Sequence, residues 1–214
     1  YNMRKEISCK VALFSMDENN PRIKELQEDG GLTAVYENGF ITICKGEWKL
    51  RIAKASNLPL TFGGKAEFMI QNILPAALTA YIKGFNIDDI KVGLETFIPS
   101  PAQTPGRMNM FQFRNFKVLL DYAHNPGGMR ALQKFTDKFD ATVKVGIIAG
   151  VGDRKDEDTR EVGSIAAEMF DEIIIRQDKH LRGRSDMEII EILKEGVLSK
   201  DPEKKITVIK SEKE

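Results

Sequence analysis

The chain predicts an α/β fold in two domains, the second built on a mostly parallel sheet. Three observations carry this. Strand-like and helix-like runs alternate over residues 110–209, the pattern of helices laid on a parallel sheet. A stretch rich in proline, Pro99-Ser100-Pro101-Ala102-Gln103-Thr104-Pro105-Gly106, separates this half from a first half of different rhythm. The 214 residues suffice for two cores, and no internal repeat or low-complexity tract suggests another architecture.

In the first half, Val11-Ala12-Leu13-Phe14 and Gly39-Phe40-Ile41-Thr42-Ile43 read as short strands. Ile70, Ile73, Leu74, Ala77, Leu78 and Tyr81 recur at helical spacing, so this segment is a helix with one broad buried face, closed by Gly84. A second helix is expected over Ile87 to Phe97, capped by Asn86, with Ile87, Ile90, Leu94 and Phe97 as its apolar stripe. In the second half the predicted strands are Met110 to Phe113, Lys117 to Asp121, Val143 to Ala149, Glu172 to Ile175 and Ile206 to Ile209. Helices are expected from Pro126 (Met129, Leu132, Phe135 inward), from about Glu157 (Val162, Ile165, Ala166, Met169) and from about Asp186 (Ile190, Leu193, Val197). Helices of this kind predict a sheet covered on both faces.

Bulk properties exclude several classes. Lys plus Arg equals Asp plus Glu at 32 each, so no global basic field attracts nucleic acid or an anionic membrane. No apolar run approaches the roughly 20 residues that span a bilayer, and the first residues lack the apolar centre of a signal peptide. A cytoplasmic protein is expected. Cys9 and Cys44 stand far apart and only two histidines occur, so neither a disulfide framework nor a zinc site is predicted. Two reduced core thiols are the expectation, and no metal ligand is assigned. The chain begins without Met and ends just after a strand-like run, which predicts a segment of a longer protein.

The most informative stretch is Val118-Leu119-Leu120-Asp121-Tyr122-Ala123-His124-Asn125-Pro126, where an apolar run stops at an acid, an imidazole and an amide. Read as a buried parallel strand, it puts Asp121, His124 and Asn125 beyond a carboxyl end, where such sheets bind ligands. The plainer alternative is a strand-to-helix connection in which Asn125 caps a helix that starts at Pro126. Two further strands end in charged loops, Gly150-Val151-Gly152-Asp153-Arg154-Lys155 and Arg176-Gln177-Asp178-Lys179-His180-Leu181-Arg182-Gly183-Arg184. Parallel strands would bring all three loops to one edge as an anion-binding cleft. Gly150 and Gly152 would let backbone N–H groups approach an anion, aided by the dipole of the following helix. Arg182 and Arg184 offer guanidinium forks suited to carboxylate or phosphate, although surface charge is an equal reading of them. The run from Asp153 to Glu161 reads mostly as a solvated helix start. No Gly-x-x-x-x-Gly-Lys-Ser/Thr occurs, so any grip on triphosphate and magnesium must lie outside this chain.

Pro105-Gly106-Arg107, Asp121-Tyr122-Ala123-His124-Asn125-Pro126, Gly152-Asp153-Arg154-Lys155 and Asn72 with Ala76-Ala77 together resemble the ATP-dependent Mur ligase family. The resemblance covers nearly the whole chain. It implies that residues 1–104 are the carboxy-terminal part of a truncated central ATPase domain. Residues 105–214 would be a Rossmann-like carboxy-terminal ligase domain lacking its last helix and strand. It further implies that ATP phosphorylates a carboxylate and that an amine attacks the acyl phosphate to give an amide, ADP and phosphate. Within the family the 152–158 run and Arg182-Gly183-Arg184 look most like the branch that joins arginine to the aspartate side chains of a polyaspartate primer. By resemblance, Asn72, Arg107, Asp121, His124 and Asn125 would bind the nucleotide, and Asp153, Arg154, Arg182 and Arg184 the substrates. The proline-containing segment before Arg107 would be the hinge of domain closure. ATP and Mg2+ are implied, with the Mg2+ ligands outside the chain, and a homo-oligomer is the expected state of the full-length enzyme. A peptidoglycan precursor ligase, a folylpolyglutamate synthase and a non-catalytic nucleotide- or peptide-binding module are the alternatives. A plain dinucleotide-binding domain lacks its glycine pattern here.

Overall fold

The computed structural model describes residues 6–150, 154–177 and 183–210. The chain forms two compact units, Tyr1–Leu120 and Asp121–Glu214.

In the first unit β1 (Ala12–Ser15) lies parallel to β2 (Leu32–Glu37), joined through α1 (Pro21–Glu28), whose Asn20 cap accepts from Arg22 N at 3.0 Å. Strands β2, β3 (Phe40–Lys45) and β4 (Trp48–Lys54) continue as an antiparallel meander in the order β1-β2-β3-β4. Strand alternation sends neighbouring residues to opposite faces. Ala34, Ile41, Ile43 and Ile52 meet Ile70, Ile73, Leu74, Ala77 and Leu78 of α2 (Glu67–Ile82), while Val35 and Cys44 meet Ile23 of α1. Helix α2 follows the sequence period because each fully buried Ile or Leu on its stripe stabilises by about 1.5–3 kcal/mol relative to exposure. Helix α3 (Ile87–Thr96) is capped by Asn86, which accepts from Asp88 N at 2.8 Å, but Phe97 lies past its end and is exposed. Only Cys44 is a core thiol, its pKa raised by burial, and Cys9 is exposed.

The proline-rich stretch is folded rather than an extended spacer. Gln103 N and Thr104 N both donate to Ser100 O, at 3.1 and 2.8 Å. The buried Asn109 accepts from Gly106 N at 2.8 Å and donates to Thr104 O and Arg107 O at 3.0 and 3.1 Å. One amide thereby satisfies three backbone groups of the turn before β5.

Strands β5 (Asn109–Gln112) and β6 (Lys117–Leu120) correct the sequence reading. They form a separate two-stranded antiparallel sheet, closed by Phe113 N donating to Phe116 O at 2.9 Å. Val118 and Leu120 are 41% and 50% exposed, so Lys117 to Asp121 is not a buried parallel strand. Strands joined this tightly pair with each other, since a parallel pair needs a crossover of a dozen residues or more.

In the second unit β7 (Val145–Ile148), β8 (Glu172–Arg176) and β9 (Lys205–Ile209) are parallel in that order. Helices α4 (Pro126–Thr136), α5 (Asp156–Met169) and α6 (Asp186–Lys200) contribute Met129, Val162, Ile165, Ala166, Met169, Leu193 and Val197 to one cluster with Ile148, Ile173 and Ile175. The expected cover on both faces is absent among the described residues, because Val145 and Ile147 on the other face of β7 are 51% and 68% exposed. Helices α5 and α6 meet at backbone distance. A Cβ on Gly163 would strike the Leu193 carbonyl, and one on Gly196 the Arg160 carbonyl.

Candidate functional site

The second unit builds its site on the loops before α4 and α5. Asp121 Oδ1 accepts from Ala123 N at 2.8 Å, an Asx turn that sets the direction of the following residues. Asn125 then caps α4, its Oδ1 accepting from Gly128 N at 2.8 Å, with Pro126 at the first helical position. The capping alternative is therefore realised for Asn125 Oδ1. His124 Nδ1 lies 2.9 Å from the Tyr122 carbonyl. A carbonyl only accepts, so Nδ1 carries the proton of this contact and Nε2 is the ring nitrogen left to face a ligand.

His124 shares a shallow recess with Ala149, Gly150, Arg154, Asp158, Thr159, Val162 and Leu193. The loop after β6 thus supplies one imidazole, the loop after β7 one guanidinium, and the first turns of α5 one carboxylate and one hydroxyl above an apolar wall. Arg154 Nε is buried without an acceptor, and no ion pair joins the Arg154 guanidinium or Asp158 to a described residue.

Two parts of the anion-cleft expectation change. The absent side chain of Gly150 makes room for Ile189 and Leu193, since a Cβ there would collide with Ile189 Cγ2. Helix packing alone therefore accounts for a glycine at this position. The α5 N-terminus carries Asp156, Glu157 and Asp158 in its first turn, which already complement the helix dipole and repel an anion. The α4 N-terminus has no acid in its first turn and is the more open of the two to negative charge.

Arg184 departs further from the role expected for it. Its Nη1 pairs with Asp156 at 2.6 Å and Glu188 at 3.3 Å, and its Nη2 donates to the Arg154 carbonyl at 3.1 Å. The hydrogen-bonded Asp156 raises its pKa, with the Glu188 charge adding to this. Arg184 thus joins the starts of α5 and α6. Asp153, Gly152 and Arg182 lie outside the described residues. In the first unit Asn72 is exposed on α2, its Nδ2 directed to Met69 Sδ at 3.9 Å. Arg107 is an exposed turn residue whose N donates to Thr104 O at 3.1 Å.

Asp158 and Thr159 lie in a charged run that reads as solvated from sequence, yet they line the recess. The signal was present: Val162 belongs to the buried stripe of α5, and Asp158 and Thr159 precede it by four and three positions, so the stripe extends through them. A carboxylate on an otherwise apolar stripe marks a site.

In open α/β folds, ligands bind beyond the carboxyl ends of the parallel strands, which is where the loop after β7 lies. The chain belongs to the Mur ligase family, as residues 106–214 match the family described as Mur ligase, glutamate ligase domain. It is 44% identical to the cyanophycin synthetase of Geminocystis herdmanii over 94% of its own length, and spans 23% of that relative. Its fold is that of the UDP-N-acetylmuramoylalanyl-D-glutamyl-2,6-diaminopimelate–D-alanyl-D-alanyl ligase from Acinetobacter baumannii, with a TM-score of 0.57 at 19% identity, covering 94% of this chain and 42% of that one. The Mycobacterium tuberculosis folylpolyglutamate synthase complexed with ADP gives a TM-score of 0.58 at 20% identity, over 80% of this chain and 35% of that one. The first unit's mixed sheet and the second unit's parallel sheet are thus those of the Mur ligase and folylpolyglutamate synthase fold. No described helix is long and apolar enough to cross a membrane.

Proposed function

We propose that the chain is part of an ATP-dependent amide-forming ligase that activates an aspartate side-chain carboxylate and joins arginine to it. The observation that carries this reading is the 44% identity to a cyanophycin synthetase across 94% of the chain. ATP transfers its terminal phosphoryl group to the carboxylate, releasing ADP. The arginine amine attacks the acyl carbon, the bond to phosphate breaks, and the amine gives up a proton as the amide forms. The recess supports this chemistry because His124, with its Nδ1 proton committed to Tyr122, holds an Nε2 lone pair that can take the amine proton. Arg154, half-buried beside it, is the described guanidinium suited to a carboxylate.

Asn72, Arg107, Asp121, His124 and Asn125 remain the proposed nucleotide contacts, and Asp153, Arg154, Arg182 and Arg184 the proposed substrate contacts. Among the described residues no three His, Cys, Asp or Glu side chains cluster as a metal site, so no step is assigned to Mg2+ through them. The partners proposed are arginine and an aspartate-containing primer, and the proposed state of the complete enzyme is a homo-oligomer in the cytoplasm.

The test is ADP release by the complete gene product, given ATP, magnesium, an aspartate-containing primer and single amino acids in turn. Release that requires both primer and arginine is the expected result. Release with glutamate, or with a peptidoglycan precursor as acceptor, would replace the substrates while keeping the ligase class. Silence with every acceptor would refute the enzyme reading.

A further inference from the structure

Strand alternation puts Phe111, Phe113, Phe116, Val118 and Leu120 on one face of the β5–β6 ribbon, since Phe111 stands opposite Val118 and Phe113 opposite Phe116. All five are exposed. A contiguous apolar face of this kind marks a surface that binds something. The charge of the ribbon is equally one-sided. Residues 108–120 hold Arg114 and Lys117 and no acid, in a chain whose acids and bases balance. Arg114 is exposed in the turn that joins Phe113 to Phe116, whose rings stack with centroids 4.6 Å apart, and no described residue pairs with its guanidinium. Neither strand has a second neighbour in its sheet, so an extended chain can add along an edge. We infer that this ribbon is a secondary docking surface for the growing polymer, an extended aspartate chain that carries arginine branches. The inference rests on the proposed ligase function, which supplies that polymer.

The chemistry of a branch matches the ribbon at both signs. Joining arginine through its α-amine leaves each branch with a free carboxylate and a free guanidinium. Arg114 can take the carboxylate through two parallel N–H bonds. A guanidinium lies favourably on the face of an aromatic ring, which the exposed Phe113 and Phe116 offer, and the aliphatic stems of the branches suit Val118 and Leu120. Aspartate units not yet joined to arginine add to the attraction. A nucleic acid is the poorer occupant, because two cations neutralise few phosphates. A second copy of the ribbon is poorer too, since it would add two further cations and no acid. A second point of attachment holds a long polymer between additions and raises the effective concentration of its reactive units.

The experiment gives the complete ligase aspartate-arginine primers of about two and about ten units. Arg114→Glu should raise the KM for the long primer about tenfold and leave its kcat and the KM for ATP as they were. The KM for the short primer should not change, because a short chain cannot reach two sites at once. Turnover on the short primer doubles as the folding check, since a misfolded variant loses it. Arg114→Lys keeps the charge and should recover most of the affinity, while Phe113→Ser should raise the long-primer KM as Arg114→Glu does. A long-primer KM unchanged in Arg114→Glu would overturn the inference, as would an equal rise with both primers. A response to Phe113→Ser alone, with a change in oligomeric state, would make the face a contact between copies and overturn it as well. If wild-type protein releases no ADP with any acceptor, the ligase reading has failed. Fluorescence anisotropy of the labelled long primer on the complete protein then decides the surface. Binding weakened by Arg114→Glu sustains it, whereas no binding, or equal binding of an oligodeoxynucleotide of the same charge, overturns it.

Discussion

Gly196→Ala sets two known effects against each other at the α5–α6 crossing. Alanine is favoured over glycine inside a helix by about 1 kcal/mol, which alone would stabilise α6. The added Cβ would run into the Arg160 carbonyl oxygen and lie 2.9 and 3.1 Å from Arg160 C and Cα. Those atoms are helix backbone and cannot turn aside as a side chain does, so α5 and α6 must separate. Overpacking of this kind costs about 1–3 kcal/mol, occasionally more. The upper part of that range outweighs the helix gain, leaving a net loss of about 1–2 kcal/mol. For a unit of this size this corresponds to a fall in Tm of roughly 5–10 °C. Gly93 in α3 is the control, because a Cβ there meets nothing within 4 Å. Gly93→Ala should stabilise by about 0.5–1 kcal/mol. Thermal unfolding of the two variants by circular dichroism makes the comparison. A Gly196→Ala protein as stable as Gly93→Ala would refute the close-crossing argument. The same crossing carries Asp158, Thr159 and Val162 on α5 and Leu193 on α6, so the recess should open with it.

Arg184→Ala should release the start of α5, read as faster amide hydrogen exchange over residues 154–160, while Arg184→Lys, which has no second donor arm, restores only part of the protection. Unchanged exchange in both would remove Arg184 from the junction. Glu168 is held below its ordinary value of 4.5 by hydrogen bonds from Lys200 and Gln133, so its contribution to stability is complete above that value and is lost as pH falls through the lowered one. Glu168→Gln should therefore flatten the stability-against-pH curve below about pH 4.5, and an identical acid limb in both proteins would refute this assignment. Asn125→Ala should destabilise α4 by about 1 kcal/mol and Asn125→Ser much less, since serine also caps; equal losses in urea unfolding would mean that the amide acts otherwise than as a cap.

What the sequence determined by itself was local and periodic. The stripes of α2, α4, α5 and α6, the caps Asn86 and Asn125, and the parallel strands β7 to β9 were all legible, because each depends on neighbours within a few positions. Motifs in the chain also pointed to the family, since their residue types and order survive without coordinates. The antiparallel pairing of β5 with β6 is written in their short connection, although the apolar run ending at Leu120 has the composition of a buried strand. The rest depended on distant parts of the chain meeting. Gly150 looks like a phosphate-loop glycine until Ile189 arrives from α6, and Arg184 looks like a substrate fork until Asp156 and Glu188 engage it. Asp158 looks solvated until α5 is laid on its sheet beside His124 and Leu193. Sequence records which charges a chain owns, but an ion pair forms at about 3 Å and only folding decides which charges are neutralised at home and which are left for a ligand.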